Sequence, residues 1–295
     1  MFLEIRRRTM REYLKLMRVK HYIKNLLICV PLIFSKKLLQ DSSFFDTLLG
    51  VLAFSMVSSV IYIINDINDI EKDRSHPKKK ERPLAKGTVT IRSAVLLILF
   101  LFSVTTLLEV FVFKNSLGSW AVLFLYFFIN VAYSYRLKNI PIVDVVILAM
   151  GYILRIYYGA VIVNVEVSAW LYLTVLSLAF FLGFGKRRNE LIKRGTSHRA
   201  VLKYYTKEYL DKVMYIFLGI TLVFYSLWCE GMVSMLGRSI LFTIPVVILV
   251  ILRYTLVIEM DSDGDPVEVV LGDKIIIILS MLYIIMILTI LYIKV

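Results

Sequence analysis

The run Thr47-Leu48-Leu49-Gly50-Val51-Leu52-Ala53-Phe54-Ser55-Met56-Val57-Ser58-Ser59-Val60-Ile61-Tyr62-Ile63-Ile64 passes without a break into Asn65-Asp66-Ile67-Asn68-Asp69-Ile70-Glu71-Lys72-Asp73-Arg74-Ser75-His76-Pro77. An uncharged stretch of the first kind spans a bilayer as a helix. If that helix continues past Ile64, Asn65, Asp69 and Asp73 recur every four residues, and Asp66 and His76 each sit three from a member of the row. One helix face then ends in hard oxygen ligands. Mg2+ suits such a row when it also binds a diphosphate, because it takes one or two carboxylates and fills its shell with phosphate and water. Lys78, Lys79, Lys80, Arg82 and Lys86 follow at once. Fixed cations beside a metal site suit phosphate oxygens and a departing diphosphate. A basic run alone reads as a solvated loop, but such a loop has no need of carboxylates at helical spacing.

Working outward, 295 residues with 59% hydrophobic content and a mean hydropathy of +0.77 exclude a soluble domain of this size. The expected fold is an all-α polytopic membrane bundle of about nine transmembrane helices, over Tyr22 to Leu39, Thr47 to Ile64, Ser93 to Phe113, Gly118 to Tyr135, Pro141 to Ile162, Ser168 to Gly185, Val213 to Trp228, Ser239 to Ile258 and Ile275 to Ile293. A basic amphipathic arm, residues 1–20, precedes a single transmembrane domain, 21–295; the arm lacks a small-residue cleavage site and belongs on the inner membrane surface. Outside the alternate loops assigned to the inside, only Lys36, Lys37, Lys114, Arg155, Arg238 and Lys294 carry fixed positive charge. That asymmetry predicts a plasma (inner) membrane protein with a cytoplasmic N-terminus, a C-terminus outside and the acidic row facing the cytoplasm. The net charge of +13 is therefore topology and attraction to anionic lipid or phosphate, and not a nucleic-acid footprint. Cys29 and Cys229 lie near opposite ends of the chain with no metal-binding spacing.

Ser55, Ser58 and Ser59 predict close helix packing near the acidic row. Glu109, inside an apolar helix, is expected to reach the outer interface. Asp144, Gly151, Arg155 and Gly159 share a face by spacings of seven, four and four, and a buried Arg155 needs an anionic partner, either a structural carboxylate or a bound phosphate. Lys186 and Glu190, four apart beside Arg187 and Arg188, offer a second polar row from the other half of the chain. The loop from Glu259 to Asp273 has a superficial calcium-loop look at Asp261-Ser262-Asp263-Gly264-Asp265 but lacks the full ligand pattern, so a solvated acidic loop is expected.

Asn65-Asp66-x-x-Asp69-x-x-x-Asp73 resembles the first aspartate-rich motif of the UbiA superfamily of intramembrane prenyltransferases, helix bundles whose cavity opens to the cytoplasm. The extension His76-Pro77-x-Lys79-x-x-Arg82-Pro83-Leu84-Ala85-x-Gly87, the early Lys24-Asn25, the loop from Tyr133 to Asp144, Gly151 to Arg155 and Lys186-Arg187-x-x-Glu190-Leu191 look like the decaprenyl-phosphate phosphoribosyltransferase branch. Val19, Tyr22 and the spacing Pro266-Val267-Glu268 depart from that branch's pattern. The resemblance implies Mg2+-dependent transfer of 5-phosphoribosyl from phosphoribosyl diphosphate to a polyprenyl phosphate. Asn65, Asp69 and Asp73 would hold the metal, with Asp66 beside them. Lys79, Arg82 and Lys86 would neutralise the leaving group. Tyr135, Lys138, Asp144 and Arg155 would bind the ribose or acceptor phosphate, and Lys24, Lys186 and Arg187 would close the pocket. Asp66, Asp69, Asp73, Lys138 and Asp144 form the expected catalytic set.

A rival within the superfamily moves a prenyl group from prenyl diphosphate to an aromatic ring. A rival from another class is a transporter or lipid-binding protein, but the charged motifs sit at the ends of the spans and no inverted repeat is evident. The expected partners are the two phosphate-bearing substrates and the membrane, with no nucleic acid; the small-residue surfaces suit either internal packing or contacts between copies in a homo-oligomer.

Overall fold

The computed structural model describes residues 10–39, 41–75, 79–113, 116–196, 199–260 and 264–293. Arg6, Arg7, Arg8, His76, Pro77, Lys78 and the stretch Asp261-Ser262-Asp263 lie outside them. After a helical arm over 10–16, the chain forms a 3-10 helix, Val19–Ile28, and then α1 (Cys29–Phe34), α2 (Asp41–Asn68), α3 (Ile70–Arg74), α4 (Pro83–Lys86), α5 (Ile91–Phe111), α6 (Leu117–Tyr135), α7 (Val143–Ile162), α8 (Ala169–Arg194), α9 (Lys207–Leu236), α10 (Thr243–Glu259), α11 (Pro266–Gly272) and α12 (Lys274–Tyr292). The described residues form helices, turns and irregular segments, with no strand. Eight helices among them, α2, α5 to α10 and α12, are long and apolar enough to cross a membrane. Oxygen side chains close several N-termini: Thr90 on Ser93 N–H, Ser168 on Leu171 N–H, Thr206 on Tyr209 N–H and Asp273 on Ile276 N–H. Exposed Leu, Ile and Phe ring the outside, as on a surface facing lipid.

The segment expected as a first span, Tyr22 to Leu39, is mostly the 3-10 helix plus α1, and it is not one of the eight. It nevertheless traverses the bundle. Arg18, at its start, donates to Asp66 near the end of α2, and Lys37, beyond its end, donates to the carbonyl of Val163 past the opposite end of α7. A 3-10 helix rises about 2.0 Å per residue and an α-helix 1.5 Å, so the pair extends roughly 29 Å, close to a bilayer core.

Close approach holds this segment against α7. A Cβ on Gly159 would stand 2.1 Å from the backbone oxygen of Ile28, and backbone cannot rotate away as a side chain can. Gly159→Ala is therefore expected to destabilise the protein by about 1–3 kcal/mol, the cost of overpacking a rigid contact, read as a lower unfolding temperature in detergent. The serines of α2 pack as expected and also make polar ties: Asn25 donates to Ser55 at 2.8 Å, and Ser58 and Ser59 pair with the hydroxyls of Tyr126 and Tyr22.

Glu109 does not reach an interface. It is fully buried and accepts from Ser119 Oγ at 2.5 Å and Tyr158 Oη at 2.6 Å, which ties α5, α6 and α7 together. Two good donors make that burial tolerable where an unpaired carboxylate would be costly.

Candidate active site

The acidic row survives a change of helix. α2 ends at Asn68 and α3 starts at Ile70, yet Asp69 N–H still donates to the Asn65 carbonyl at 3.0 Å and Asp73 N–H to the Asp69 carbonyl at 2.8 Å. The four-residue spacing therefore keeps Asn65, Asp69 and Asp73 on one face. They line a cavity of about 740 Å3, a volume usual for a small-molecule site. Facing them are Lys138 from the α6–α7 connection, Arg155 and Gly151 from α7, and Lys186 and Arg187 from α8. Lys24, Lys79 and Arg82 complete the predicted residues that the cavity brings together.

Two carboxylates of the row are already counterbalanced. Asp73 accepts from Arg82 at 2.6 Å, and Asp69 accepts from Lys138 at 3.5 Å. The Asn65 amide makes no hydrogen bond among the described residues, although it lines the cavity. One amide and two carboxylates with spare lone pairs fit an Mg2+ that completes its shell with phosphate and water. They do not fit an ion enclosed by protein alone: no group of three or more His, Cys, Asp or Glu able to hold one occurs among the described residues.

Four predicted residues stand back from the cavity wall. Asp66 is buried and accepts from both Arg18, at 2.5 Å, and Arg82, at 3.0 Å. Asp144 is fully buried, accepting from Arg187 Nε at 2.5 Å and Tyr205 Oη at 2.8 Å. Lys86 pairs with Glu81 at 2.6 Å on the surface, and Tyr135 is 64% exposed. Asp66 and Asp144 thus hold cavity cations in place, while Lys86 and Tyr135 lie outside the cavity lining.

Arg155 has no carboxylate partner among the described residues, which leaves the bound phosphate of the two partners its burial suggested. It donates to the Asn25 side-chain oxygen at 2.7 Å, the Gly151 carbonyl at 2.5 Å and Tyr126 Oη at 3.0 Å, and lies against the rings of Phe54 and Tyr126. Each guanidinium nitrogen donates once, two of its five N–H groups have no acceptor among the described residues, and its charge is not matched by a carboxylate there. The acidic loop is also different from expectation, because Asp265 enters the site and accepts from Lys186 at 2.7 Å, with Lys24 at 4.0 Å. Burial works against its ionisation, but these ammonium groups prevail and hold the carboxyl well below the usual carboxylate range. Burial pulls the Lys79 ammonium down, aided by Arg82.

Several lining residues escaped the sequence reading although their spacing carried a signal. His21 stands three residues before the predicted Lys24 on one side of the 3-10 helix, and Arg18, three residues earlier still, is at its N-terminal end. Tyr126, Asn130 and Tyr133 recur at intervals of four and three, one polar face on the otherwise apolar α6. Arg194, Arg199 and Asp265 had no such periodicity. In all, eleven Lys and Arg side chains and four carboxylates line the cavity among the described residues. So large a cationic surplus suits a ligand with several phosphoryl groups.

The sequence pattern of the UbiA prenyltransferase family matches residues 28–270. A decaprenyl-phosphate phosphoribosyltransferase from Corynebacterium glutamicum is 27% identical over 95% of this chain and 86% of its own length. One from Mycobacterium tuberculosis is 28% identical over 80% of this chain and 78% of its own. Among solved structures, a UbiA homologue from Archaeoglobus fulgidus bound to GPP and Mg2+ superposes with a TM-score of 0.71 at 21% identity, covering 95% of this chain and 99% of that one. That likeness shows a common fold.

Proposed function

Because this chain belongs to the UbiA prenyltransferase family and is a membrane-embedded transferase, we propose that it transfers 5-phosphoribosyl from phosphoribosyl diphosphate to a polyprenyl phosphate and releases diphosphate. The observation that carries this reading is the cationic surplus of the cavity. Each phosphomonoester brings about −1.5 to −2 charges at pH 7, and the two substrates together carry two such groups plus a diphosphate. A prenyl diphosphate with an aromatic acceptor that carries at most one carboxylate would leave much of that positive lining unmatched. The names of the corynebacterial and mycobacterial relatives support the same choice.

In the proposed reaction an acceptor phosphate oxygen bonds to ribose C1 while the bond from C1 to the diphosphate oxygen breaks, and the electron pair leaves with the diphosphate. An anionic phosphate is already nucleophilic, so no residue need remove a proton. Asn65, Asp69 and Asp73 would hold Mg2+, which when bound supplies charge neutralisation on the diphosphate. Arg82 and Lys79 face the same leaving group, with Arg82 held by Asp66 and Asp73. Lys138, Arg155, Lys24 and Lys186 line the remaining cavity, where ribose and acceptor phosphate would bind. Pre-placed charges of this kind need no reorganisation as negative charge moves. We further propose that the 3-10 segment with α1 is a ninth crossing of the plasma (inner) membrane, leaving the N-terminus and cavity cytoplasmic and the C-terminus outside.

The test is a transfer assay on purified protein in detergent with Mg2+. One reaction receives labelled phosphoribosyl diphosphate and polyprenyl phosphate, the other labelled prenyl diphosphate and 4-hydroxybenzoate. Label from the sugar is expected in the organic-soluble lipid. Label on the aromatic acid would replace this reading with aromatic prenylation.

A further inference from the structure

The Tyr133 hydroxyl, on α6 and in the cavity wall, has an unusual set of neighbours. It accepts from Arg187 Nη2 at 3.1 Å and from Arg199 Nη1 at 2.8 Å. A phenol oxygen has two lone pairs and one hydrogen. Both lone pairs are engaged by guanidinium groups, and no described residue accepts the hydrogen, which is left for the cavity. The two arginines are not equivalent. Arg187 is fixed by Asp144 and Glu190 as well. Among the described residues Arg199 makes that single hydrogen bond, and Glu190 is its near carboxylate, at 3.9 Å, beyond hydrogen-bond length. Arg199 therefore presents further N–H donors to the same space as the Tyr133 hydrogen. Lys79, which comes from the loop after the acidic row, lies within the electrostatic reach of both Asp73 and Arg199. The donor set around Tyr133 and the acidic row thus share a cation and a cavity.

A hydroxyl hydrogen beside a guanidinium, with a second guanidinium behind it, complements a tetrahedral dianion. An apolar prenyl chain has no use for it, and an aromatic acid brings one carboxylate charge where a phosphomonoester brings about two. We infer that Tyr133 and Arg199 bind a phosphomonoester of the donor, the group that phosphoribosyl diphosphate carries beyond its diphosphate and prenyl diphosphate lacks. The pair is then the specificity determinant of this pocket. The inference rests on the phosphoribosyl reading above.

The experiment measures KM for phosphoribosyl diphosphate and inhibition by inorganic pyrophosphate in wild type, Tyr133→Phe and Arg199→Gln, and binding of ribose 5-phosphate to the same proteins by calorimetry. Each variant should raise KM roughly 10- to 100-fold, the worth of one charge-assisted hydrogen bond, and leave pyrophosphate inhibition unchanged. Arg199→Lys should recover part of the loss. An unchanged KM, or KM and pyrophosphate inhibition weakening together, overturns the inference, the second because the pair then serves the diphosphate or the fold. If wild type transfers no phosphoribosyl, the proposed function fails by itself. Calorimetry then decides the subsite: ribose 5-phosphate bound by wild type and lost in Arg199→Gln sustains it, and no binding to wild type overturns it.

Discussion

Asp69→Asn is expected to lower phosphoribosyl transfer roughly 100- to 1,000-fold, on the scale of removing one electrostatic stabiliser from an enclosed site, and to raise the Mg2+ concentration needed for half-maximal rate. The substitution keeps the side chain's shape and an oxygen ligand. It removes the charge that Lys138 meets at 3.5 Å and that the metal would share. Asp69 is only partly buried and forms no part of the apolar clusters, so the unfolding temperature should hardly move. Metal-dependent activity retained at the wild-type level would sink the assignment of the acidic row. Titrating Mg2+ against initial rate in both proteins is the deciding measurement.

Arg187→Met is expected to act on stability with comparable force. The Arg187 side chain is 1% exposed and is the common partner of Asp144, which is fully buried, and Glu190. Deleting it leaves Asp144 and Glu190 without their shared cation, a loss of about 3–5 kcal/mol when one partner of a buried ion pair is removed. Thermal unfolding in detergent should show a large drop. Pairing the change with Asp144→Asn should restore part of it, because one unmatched charge goes with the cation. A double variant no more stable than Arg187→Met would mean that the cluster is not held together by that charge.

The acidic row was legible because local spacing carried it: the four-residue period outlasts the break at Asp69, so one-dimensional order became a three-dimensional face. The family resemblance extended that reading to Lys138, Lys186 and Arg187. Arg155 shows where such reading stops. Its burial follows from an apolar helix, but its partners Asn25 and Tyr126 come from distant segments, and no pattern near Arg155 announces that they are neutral. Glu109 misled for the same reason, since its nearness to a helix end suggested water while Tyr158, 49 residues away, supplied the partner. The charge of Asp265 suggested a solvated loop, yet Lys186 draws it into the cavity. In each case a pairwise contact across the bundle outweighed a local tendency, and the segment expected as a first span is the converse: its apolar content was evident, while its 3-10 winding was not.

Asp66 gathers Arg18 and Arg82 on a single oxygen atom, Oδ1. Arg18 stands at the end of the N-terminal arm and Arg82 in the loop beyond the acidic row, two stretches of chain with no helix in common. Their docking is consequently linked through one atom. Whatever loosens that oxygen's hold deprives Arg18 of its carboxylate while Arg82 keeps Asp73 at 2.6 Å, and an anion that draws Arg82 inward leaves the arm as the sole remaining claimant on Asp66.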